Sequence, residues 1–533
     1  MYRKTYVALA CLGLLLGTAG CDTFLTGDKL SNNPNLPTTA SAQQLFVGVQ
    51  AGQFAFQEGT IAMMMCEWVQ ACSAGNSRFV QQMAQYVFNE SSNIAANTAD
   101  WITAYDGGGL IDIRNVEAAT GAAGDTVWLG IAQIWEALTM GTVSSMWGDV
   151  PYSEAVSGKT NPVLDDRFVI LGNLQTLLTT AIANLGKSGA GPGLNDLVLG
   201  GNKAAWTKVA WTLKARYYMQ TAESLGASAY TNAITAAANG ISDPTGASNM
   251  ASFHTTATSE RNMWTQFQTS SGFGTDLEGG KALIDILKAR NDPRLAQYYC
   301  KATTAAWKDT TRYLVHAAIL DPNGNMEQVT AIVDTAHNRS GRTQPAWPTT
   351  VGATTTDSNL TWINRGFPYV GDDFNTPPPP PVSQFNCLPS RFHADARVPY
   401  VSYVENELIL AEAYNQTGND ALALTHLNNA RATVPLSALV GLTGATLLDS
   451  IMIEKYAAMF QNIESINDYR RTCIPAITPS TNSQGFQNVP GRLFYPQTER
   501  NVNPNIPTPT VQLGTHGFRN KGDVHACQND NSP

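Results

Sequence analysis

The sequence predicts a mainly α-helical protein in which helix pairs pack against an irregular, loop-rich half. Two observations lead to this prediction. Apolar residues recur at helical spacing through residues 41–300 and again through residues 399–472. Between these stretches, and after them, Thr, Asn, Gly and Pro predominate and the spacing is lost. We therefore expect residues 300–398 and 473–533 to be rich in loops.

The first forty residues have the composition of an export signal followed by a polar tether. A basic flank precedes an apolar segment at 7–16 that is too short to span a bilayer, and small residues lead from it to Cys21. This arrangement resembles the bacterial lipoprotein pattern, with an ordinary signal and a chance cysteine as the alternative. We expect residues 1–20 to be cleaved, Cys21 to be acylated and residues 21–40 to form a tether to a single domain, 41–533.

Composition fits one large globular body. Of 533 residues 43% are apolar and 14% are charged, so the chain can bury a sizeable core. The net charge is -9, and Lys and Arg do not cluster. Nucleic acid is therefore not an expected partner, and the expected contact with a membrane is through the lipid anchor.

The cysteines permit a disulfide framework. Six of them follow Cys21, an even count in an exported chain, which allows up to three disulfides of open connectivity, with several buried free thiols as the alternative. Cys66 and Cys72 are six residues apart and cannot bond within one unbroken helix. No C-x-x-C spacing occurs and the His residues are scattered, so we predict no metal and no cofactor. The six are Cys66, Cys72, Cys300, Cys387, Cys473 and Cys527.

Several helical faces can be identified individually. Residues 129–146 and 166–185 form one predicted pair of helices. A later face predicts a helix running to about residue 225. Near the C-terminal end of the helical part, Gly418 is placed to end one helix, and a capping-box-like start at Thr446 opens another. Such pairs resemble tetratricopeptide units, whose faces are buried by stacking. The face of the later helix consists of Trp206, Ala210, Leu213 and Tyr217.

Five separated motifs, in order along the chain, make the chain resemble the SusD/RagB family of outer-membrane nutrient-binding lipoproteins of Bacteroidetes-like bacteria. They cover nearly the whole chain. The motifs are Cys21 to Leu25; Trp147 to Ala155 (WGDVPYSEA); Lys203 to Met219; Asn291 to Leu295 (NDPRL); and a C-terminal set comprising Glu407 to Ala413, Leu427 to Arg431, Glu454, Asn467 to Arg471 and Tyr495 to Glu499.

The resemblance implies a fold and a role. The fold would contain four tetratricopeptide-like helix pairs packed against a ligand-facing half. Members sit on the cell surface, anchored in the outer membrane by lipid, over a SusC-like TonB-dependent barrel. They hand this barrel oligosaccharides or, in the RagB-like branch, peptides, and they catalyse nothing.

The residues themselves show no catalytic motif. H-E-x-x-H and G-x-S-x-G do not occur in the sequence, and Gly158-Lys159-Thr160 lacks the earlier glycine of a phosphate-binding loop. A carboxylate pair for glycoside hydrolysis remains an open alternative, because the separation of two carboxylates is a three-dimensional quantity. We interpret Asp149 as a ligand of backbone amides and Glu154 as the partner of an Arg on a neighbouring helix. The protein is therefore predicted to bind rather than to catalyse.

A glycan-binding surface needs exposed aromatic rings with polar groups at their edges. Aromatic residues in polar surroundings are the candidates; for Trp68, which lies on a Met-rich helix, a place in the core is the alternative. Asp468, Arg470 and Arg471 are expected to hold the helical half together. The predicted ligand-binding residues are Trp68, Asn76, Arg78, Phe79, Trp264 and Trp362.

Overall fold

The structure is a computed structural model, and it describes most of the chain after the predicted tether. The described residues are 40–74, 86, 89–91, 98–270, 276–301, 385, 387–477, 489–513 and 519–523, together with the backbone of three strands at 313–317, 331–333 and 360–364.

Helices form most of the described chain, as predicted. In chain order the helices are α1 (Ala42–Glu58), α2 (Thr60–Trp68), α3 (Thr98–Tyr105), α4 (Leu110–Ala122), α5 (Thr126–Trp147), α6 (Arg167–Leu185), α7 (Lys203–Met219), α8 (Ala222–Leu225), α9 (Ala227–Ala237), α10 (Met263–Thr269), α11 (Lys281–Ala289), α12 (Arg294–Tyr298), α13 (Tyr403–Gln416), α14 (Asp420–Arg431), α15 (Gly444–Ala458), α16 (Glu464–Thr472), α17 (Gln497–Val502) and α18 (Pro509–Leu513).

The long helices stack in sequence order. Helix α4 packs against α5, α5 against α6, α6 against α7, and α7 against α9. The stack continues from α9 to α13, and α13 packs on both α14 and α15. Each helix thus buries its apolar face against a neighbour, as in tetratricopeptide units. This arrangement confirms the predicted mainly α architecture of paired helices.

Local sequence sets the helix ends. Asp125 accepts a hydrogen bond from the backbone N–H of Trp128 and caps α5, which ends at Gly148, where φ is 87°. Asp166 caps α6 in the same way. One predicted start is wrong: α15 begins at Gly444, two residues before the predicted capping residue Thr446. The preceding turn already has helical hydrogen bonds, so the start predicted at Thr446 lies inside the helix.

The predicted face of α7 lies in the core. Trp206, Ala210, Leu213 and Tyr217 are all buried. The Tyr217 hydroxyl donates to the Ala137 carbonyl at 2.6 Å and reaches across α5. A Cβ on Gly141 would lie 2.2 Å from this hydroxyl oxygen, so close helix approach requires glycine there. The helix predicted to reach residue 225 ends at Met219, and α8 follows as a separate turn.

Short strands pair segments that are far apart in the sequence. Strand β1 (Cys72–Ala74) pairs antiparallel with β3 (Leu277–Gly279), and β2 (Met250–Ala251) pairs with β7 (Pro399–Val401). The stretch 300–398 contains more regular structure than predicted. Its strands β4 (Tyr313–Ala317), β5 (Ala331–Val333) and β6 (Leu360–Asn364) form an antiparallel sheet in the order β5-β4-β6. Pairing between distant segments explains why local spacing did not reveal these strands.

Disulfides join the ends of elements. Cys66 bonds to Cys72, because α2 ends at Trp68 and a turn with a positive φ at Gln70 brings the chain back. Cys300 bonds to Cys387 across the loop-rich half, and Cys473 is also disulfide-bonded. These bonds resolve the open choice between disulfides and free thiols for five of the six cysteines. Cys527 lies outside the described residues.

Buried ion pairs hold the C-terminal helices together. The Glu454 carboxylate forms ion pairs with the guanidinium groups of Arg294 and Arg431, at N–O distances of 2.7 Å and 2.9 Å. Asp468 forms ion pairs with Lys455 and Arg471, at N–O distances of 2.6 Å and 2.8 Å. Arg470 donates to the Ser145 carbonyl at 2.8 Å. The prediction that Asp468, Arg470 and Arg471 hold the helical half together is confirmed.

Candidate functional site

Two predicted aromatic platforms lie in the core. Trp68 is 1% exposed and meets Tyr86 edge to face with ring centroids 6.4 Å apart. Trp264 is 0% exposed and packs edge to face on Phe392 at 5.5 Å. A sugar needs an open ring face, so the prediction of Trp68 and Trp264 as exposed platforms is wrong. The apolar interior formed by α2 and α10 accounts for both positions.

The other predicted residues fall outside what the structure describes. Asn76, Arg78, Phe79 and Cys21 lie outside the described residues. The backbone of Trp362 belongs to β6, where its register partner on β4 is Val315, and its side chain is not described. Their predicted roles stay predictions.

The segment around Trp264 nevertheless lines a surface cleft. The cleft has a volume of about 320 Å³ and lies between α1, the chain after β2, and α10. Phe253 is 42% exposed at this cleft. Among the described residues it is the one phenylalanine or tryptophan that belongs to the exposed large apolar side chains. We call this site the Phe253 cleft; its lining comprises Ala51, Phe54, Ala55, Leu197, Phe253, His254, Ser259, Glu260, Arg261, Met263 and Gln266.

The local backbone explains why the Phe253 ring faces outward. Ser252 continues from β2 and donates its backbone N–H to the Val398 carbonyl at 3.0 Å. Consecutive side chains of an extended chain point to opposite sides. His254 points inward and places Nε2 2.9 Å from a carboxylate oxygen of Glu58 on α1. The neighbouring Phe253 ring is therefore left at the surface.

Buried polar groups fix the base of the cleft. The Tyr400 hydroxyl donates to Glu58 at 2.6 Å. Burial, and then the nearby Glu58 carboxylate, raise the pKa of Tyr400 well above its ordinary value, so the phenol stays protonated and donates. His254 Nδ1 lies 3.2 Å from the Glu260 carbonyl oxygen. Glu58 and His254 thus anchor both ends of the loop that follows Phe253.

Polar side chains line the same cleft as the ring. Glu260 is exposed and accepts the Thr255 hydroxyl at 2.7 Å, and Arg261 and Gln266 are half-buried. The Gln266 amide donates to the Arg261 carbonyl at 2.6 Å, which ties α10 to the loop. In such a cleft, an exposed ring can pack against an apolar face of a ligand, while a guanidinium, a carboxylate and an amide in the same cleft can bond the ligand's hydroxyl groups.

The predicted roles of two motif carboxylates have different outcomes. Asp149 accepts the backbone N–H of Arg167 at 2.8 Å, as predicted for a carboxylate that binds an amide. Glu154 pairs with Lys159 and not with an Arg on a neighbouring helix, so that prediction is wrong. The loop after the motif folds back and brings Lys159 to the carboxylate.

Among the described residues no group of three or more His, Cys, Asp or Glu side chains could hold a metal ion.

Sequence reasoning missed Phe253. The residue follows a two-residue strand and belongs to no periodic segment, so spacing carried no signal. The polar residues at 255–261 were the available clue; of these, Arg261 was interpreted only as part of the polar surroundings of Trp264.

The described body is a stack of helix pairs with an exposed phenylalanine at a surface cleft. The family model described as starch-binding and associating with the outer membrane matches residues 34–349. The chain therefore belongs to the SusD-like family. Proteins of this family are binding proteins rather than enzymes, and they are associated with the outer membrane.

Solved structures share the fold at low identity. One is described as a chitin-binding protein, with 19% identity, a TM-score of 0.64, and coverage of 91% of this chain and 100% of the other. A SusD-like protein from Bacteroides thetaiotaomicron has 16% identity, a TM-score of 0.63, and coverage of 90% and 97%. A chitin-binding SusD homolog from Flavobacterium johnsoniae has 15% identity, a TM-score of 0.61, and coverage of 90% and 98%. No curated protein matches the chain in sequence.

Proposed function

We propose that this protein captures oligosaccharides at the cell surface and delivers them to a SusC-like TonB-dependent transporter. The observation that carries the proposal is the Phe253 ring, 42% exposed at a cleft with Glu260, Arg261 and Gln266 at its edge. The apolar face of a sugar packs on such a ring while hydroxyl groups bond to the polar edge.

The comparisons support a glycan more than a peptide as the ligand. The family description names starch, and two of the similar structures are described as chitin-binding. A peptide ligand, as in RagB-like members, and glycoside hydrolysis are therefore outcomes of the test below. Asn76, Arg78, Phe79 and Trp362 remain proposed further ligand contacts.

We also propose how the protein is held at the membrane. Residues 1–20 would be removed, Cys21 would carry the acyl chains, and residues 21–40 would tether the body formed by residues 41–533. Several acyl chains, at about 0.8 kcal/mol per buried methylene, anchor a protein stably. This arrangement would keep the Phe253 cleft at the surface of the outer membrane.

The function is tested by titrating the mature protein, in detergent, with plant, algal and microbial oligosaccharides and with peptide mixtures. Binding heat and product release are measured in the same samples. We expect saturable binding of one glycan class with no product. Release of shortened sugars would assign a hydrolase instead, and heat from peptides alone would assign a peptide-binding protein.

The transporter partner requires a separate measurement. We expect the mature protein, purified gently from its native membrane, to bring with it a large outer-membrane barrel. Purification of the protein alone under conditions that keep other membrane complexes intact would contradict delivery to a SusC-like partner and leave the capture role standing.

A further inference from the structure

A second cleft lies beside the Trp147 to Ala155 motif. It is bounded by α3, by the loop at 151–162 and by α17, and it has a volume of about 350 Å³. This size falls within the range of about 300–1,000 Å³ that is typical of small-ligand sites. None of its lining residues belongs to the Phe253 cleft. We call it the Glu499 cleft.

A partly buried carboxylate forms its polar side. Glu499 accepts a hydrogen bond from the Trp101 indole N–H, and burial raises the pKa of Glu499 above its ordinary value. No ion pair of Glu499 occurs within the described part of the chain. A carboxylate has about four acceptor positions, so Glu499 can accept further hydrogen bonds from a ligand. The Tyr105 hydroxyl, also in the cleft, is already used, because it donates to the Pro151 carbonyl at 2.8 Å.

Three exposed aliphatic side chains from different elements line the same cleft. Ile102 on α3 is 50% exposed, Val156 in the loop is 38% exposed and Val502 on α17 is 67% exposed. Together they form an apolar, solvent-exposed edge of the cleft. A methyl group placed among them would remove apolar surface from water.

The loop holds Val156 in an unfavourable backbone conformation. Its φ is 52°, in the left-handed region that a β-branched residue rarely adopts. Arg114 stabilises the loop by donating to the Ala155 carbonyl at 2.9 Å and to the Tyr152 carbonyl at 3.2 Å. Arg114 is in turn paired with Glu136. The cleft wall is therefore preformed, and such backbone strain is concentrated at ligand sites.

Charge restricts the ligand. Asp106 and Glu499 both line the cleft, and the ammonium group of Lys159 is already paired with Glu154. An anionic sugar would meet net negative charge. The carboxylate would attract the free ammonium group of a de-N-acetylated amino sugar. That group would, however, have to give up bound water beside three aliphatic side chains, which is unfavourable. A neutral group with one N–H donor and one methyl group satisfies both sides of the cleft.

We propose that the Glu499 cleft binds the acetamido group of an N-acetylated amino sugar. The amide N–H donates to the Glu499 carboxylate and the methyl group packs among Ile102, Val156 and Val502. This inference rests on the proposed capture of glycans and names the sugar class that a second site selects.

The test titrates the mature protein in detergent with three tetrasaccharides. These are N-acetylglucosamine tetramer, its de-N-acetylated glucosamine form, and a glucose tetramer with the same β-1,4 linkage. We expect the N-acetylated tetramer to bind about tenfold more tightly than either of the others. Equal affinity for all three would overturn the proposal.

Variants assign the selectivity to this cleft. Glu499→Leu, which removes both acceptor oxygens at a similar side-chain size, and Ile102→Ala should each remove most of the tenfold preference. Val440→Ala, at a side chain 83% exposed and outside both clefts, is the matched control and should leave it unchanged. Thermal unfolding measured on each variant confirms folding. A preference that persists in both cleft variants would overturn the proposal while leaving glycan capture intact. Absence of binding to any glycan would instead contradict the proposed function.

Discussion

The guanidinium of Arg216 binds the Glu405 carboxylate through two parallel hydrogen bonds, from Nε at 2.6 Å and from Nη2 at 2.7 Å. Arg216 lies on α7 and Glu405 on α13, 189 residues later. Both side chains are buried, at 6% and 1% exposure. The pair therefore joins the two long helical stretches of the chain at their interface.

Removing one partner of this pair should destabilise the protein strongly. Glu405→Ala leaves a buried guanidinium with only the more distant Glu464 carboxylate, at 4.0 Å, beside it, and removing a buried ion-pair partner costs about 3–5 kcal/mol. The free energy of unfolding, measured by urea denaturation, gives the cost. Asp285→Ala removes an exposed partner of Lys281 on α11 and should change the free energy by less than about 1 kcal/mol. Equal effects of the two substitutions would contradict the assignment of Arg216 and Glu405 as a buried structural pair.

Stability should depend on pH through Glu67. Burial, and then the Asp276 carboxylate, raise the pKa of Glu67 well above its ordinary value. The folded state then holds this proton more tightly than the unfolded state, so the contribution is present below the unfolded pKa of about 4.5 and is lost as pH rises toward the folded pKa. The melting temperature of Glu67→Gln minus that of the wild type should therefore increase as the pH is raised from 5 to 8. The measurement is made in steps of about one pH unit.

Glu154 provides the control for this pH series. Hydrogen bonding to Lys159 and to the Val163 amide lowers the pKa of Glu154. For Glu154→Gln, the difference in melting temperature from the wild type should not increase as the pH rises. A Glu67→Gln difference that is constant with pH would contradict a raised pKa for Glu67.

The sequence predicted elements whose stability is local and missed those that depend on distant partners. Trp206 to Tyr217 revealed a helix because the apolar spacing repeats within one segment. Phe253 and the strands at 313–364 gave no such signal, since their positions depend on pairing with other segments and on His254 binding Glu58. Trp264 was misassigned because a polar sequence context does not show which side of a short helix is buried.

The third disulfide should join Cys473 to Cys527. Cys473 is disulfide-bonded, and the other bonds use four of the six cysteines after Cys21. Asp523 pairs with Arg167 at 3.8 Å and interacts with Arg470, three residues before Cys473. Cys527 follows Asp523 by four residues, a length of chain that spans at most about 14 Å.

Peptide mapping without reduction checks this pairing. We expect one linked peptide that contains both cysteines and disappears on reduction. A free thiol at Cys527, measured by alkylation of the unfolded and unreduced protein, would contradict it.

Membrane attachment should depend on one cysteine. In cells, Cys21→Ser should move the protein from the detergent phase to the aqueous phase on detergent phase separation, because the acyl chains that hold it in micelles are absent. Cys11→Ser, within the predicted signal, is the matched control and should leave partitioning unchanged. Retention of the Cys21 variant in the detergent phase would show that acylation of Cys21 does not provide the anchor.

The most direct test of the account is the affinity of Phe253 variants for the oligosaccharide class that the wild type binds, measured by calorimetry. Phe253→Ala removes the ring and should weaken binding about tenfold, Phe253→Trp keeps a ring and should bind within about threefold of the wild type, and Val440→Ala should bind like the wild type. Unchanged affinity of Phe253→Ala would contradict the assignment of this cleft as the site of glycan capture.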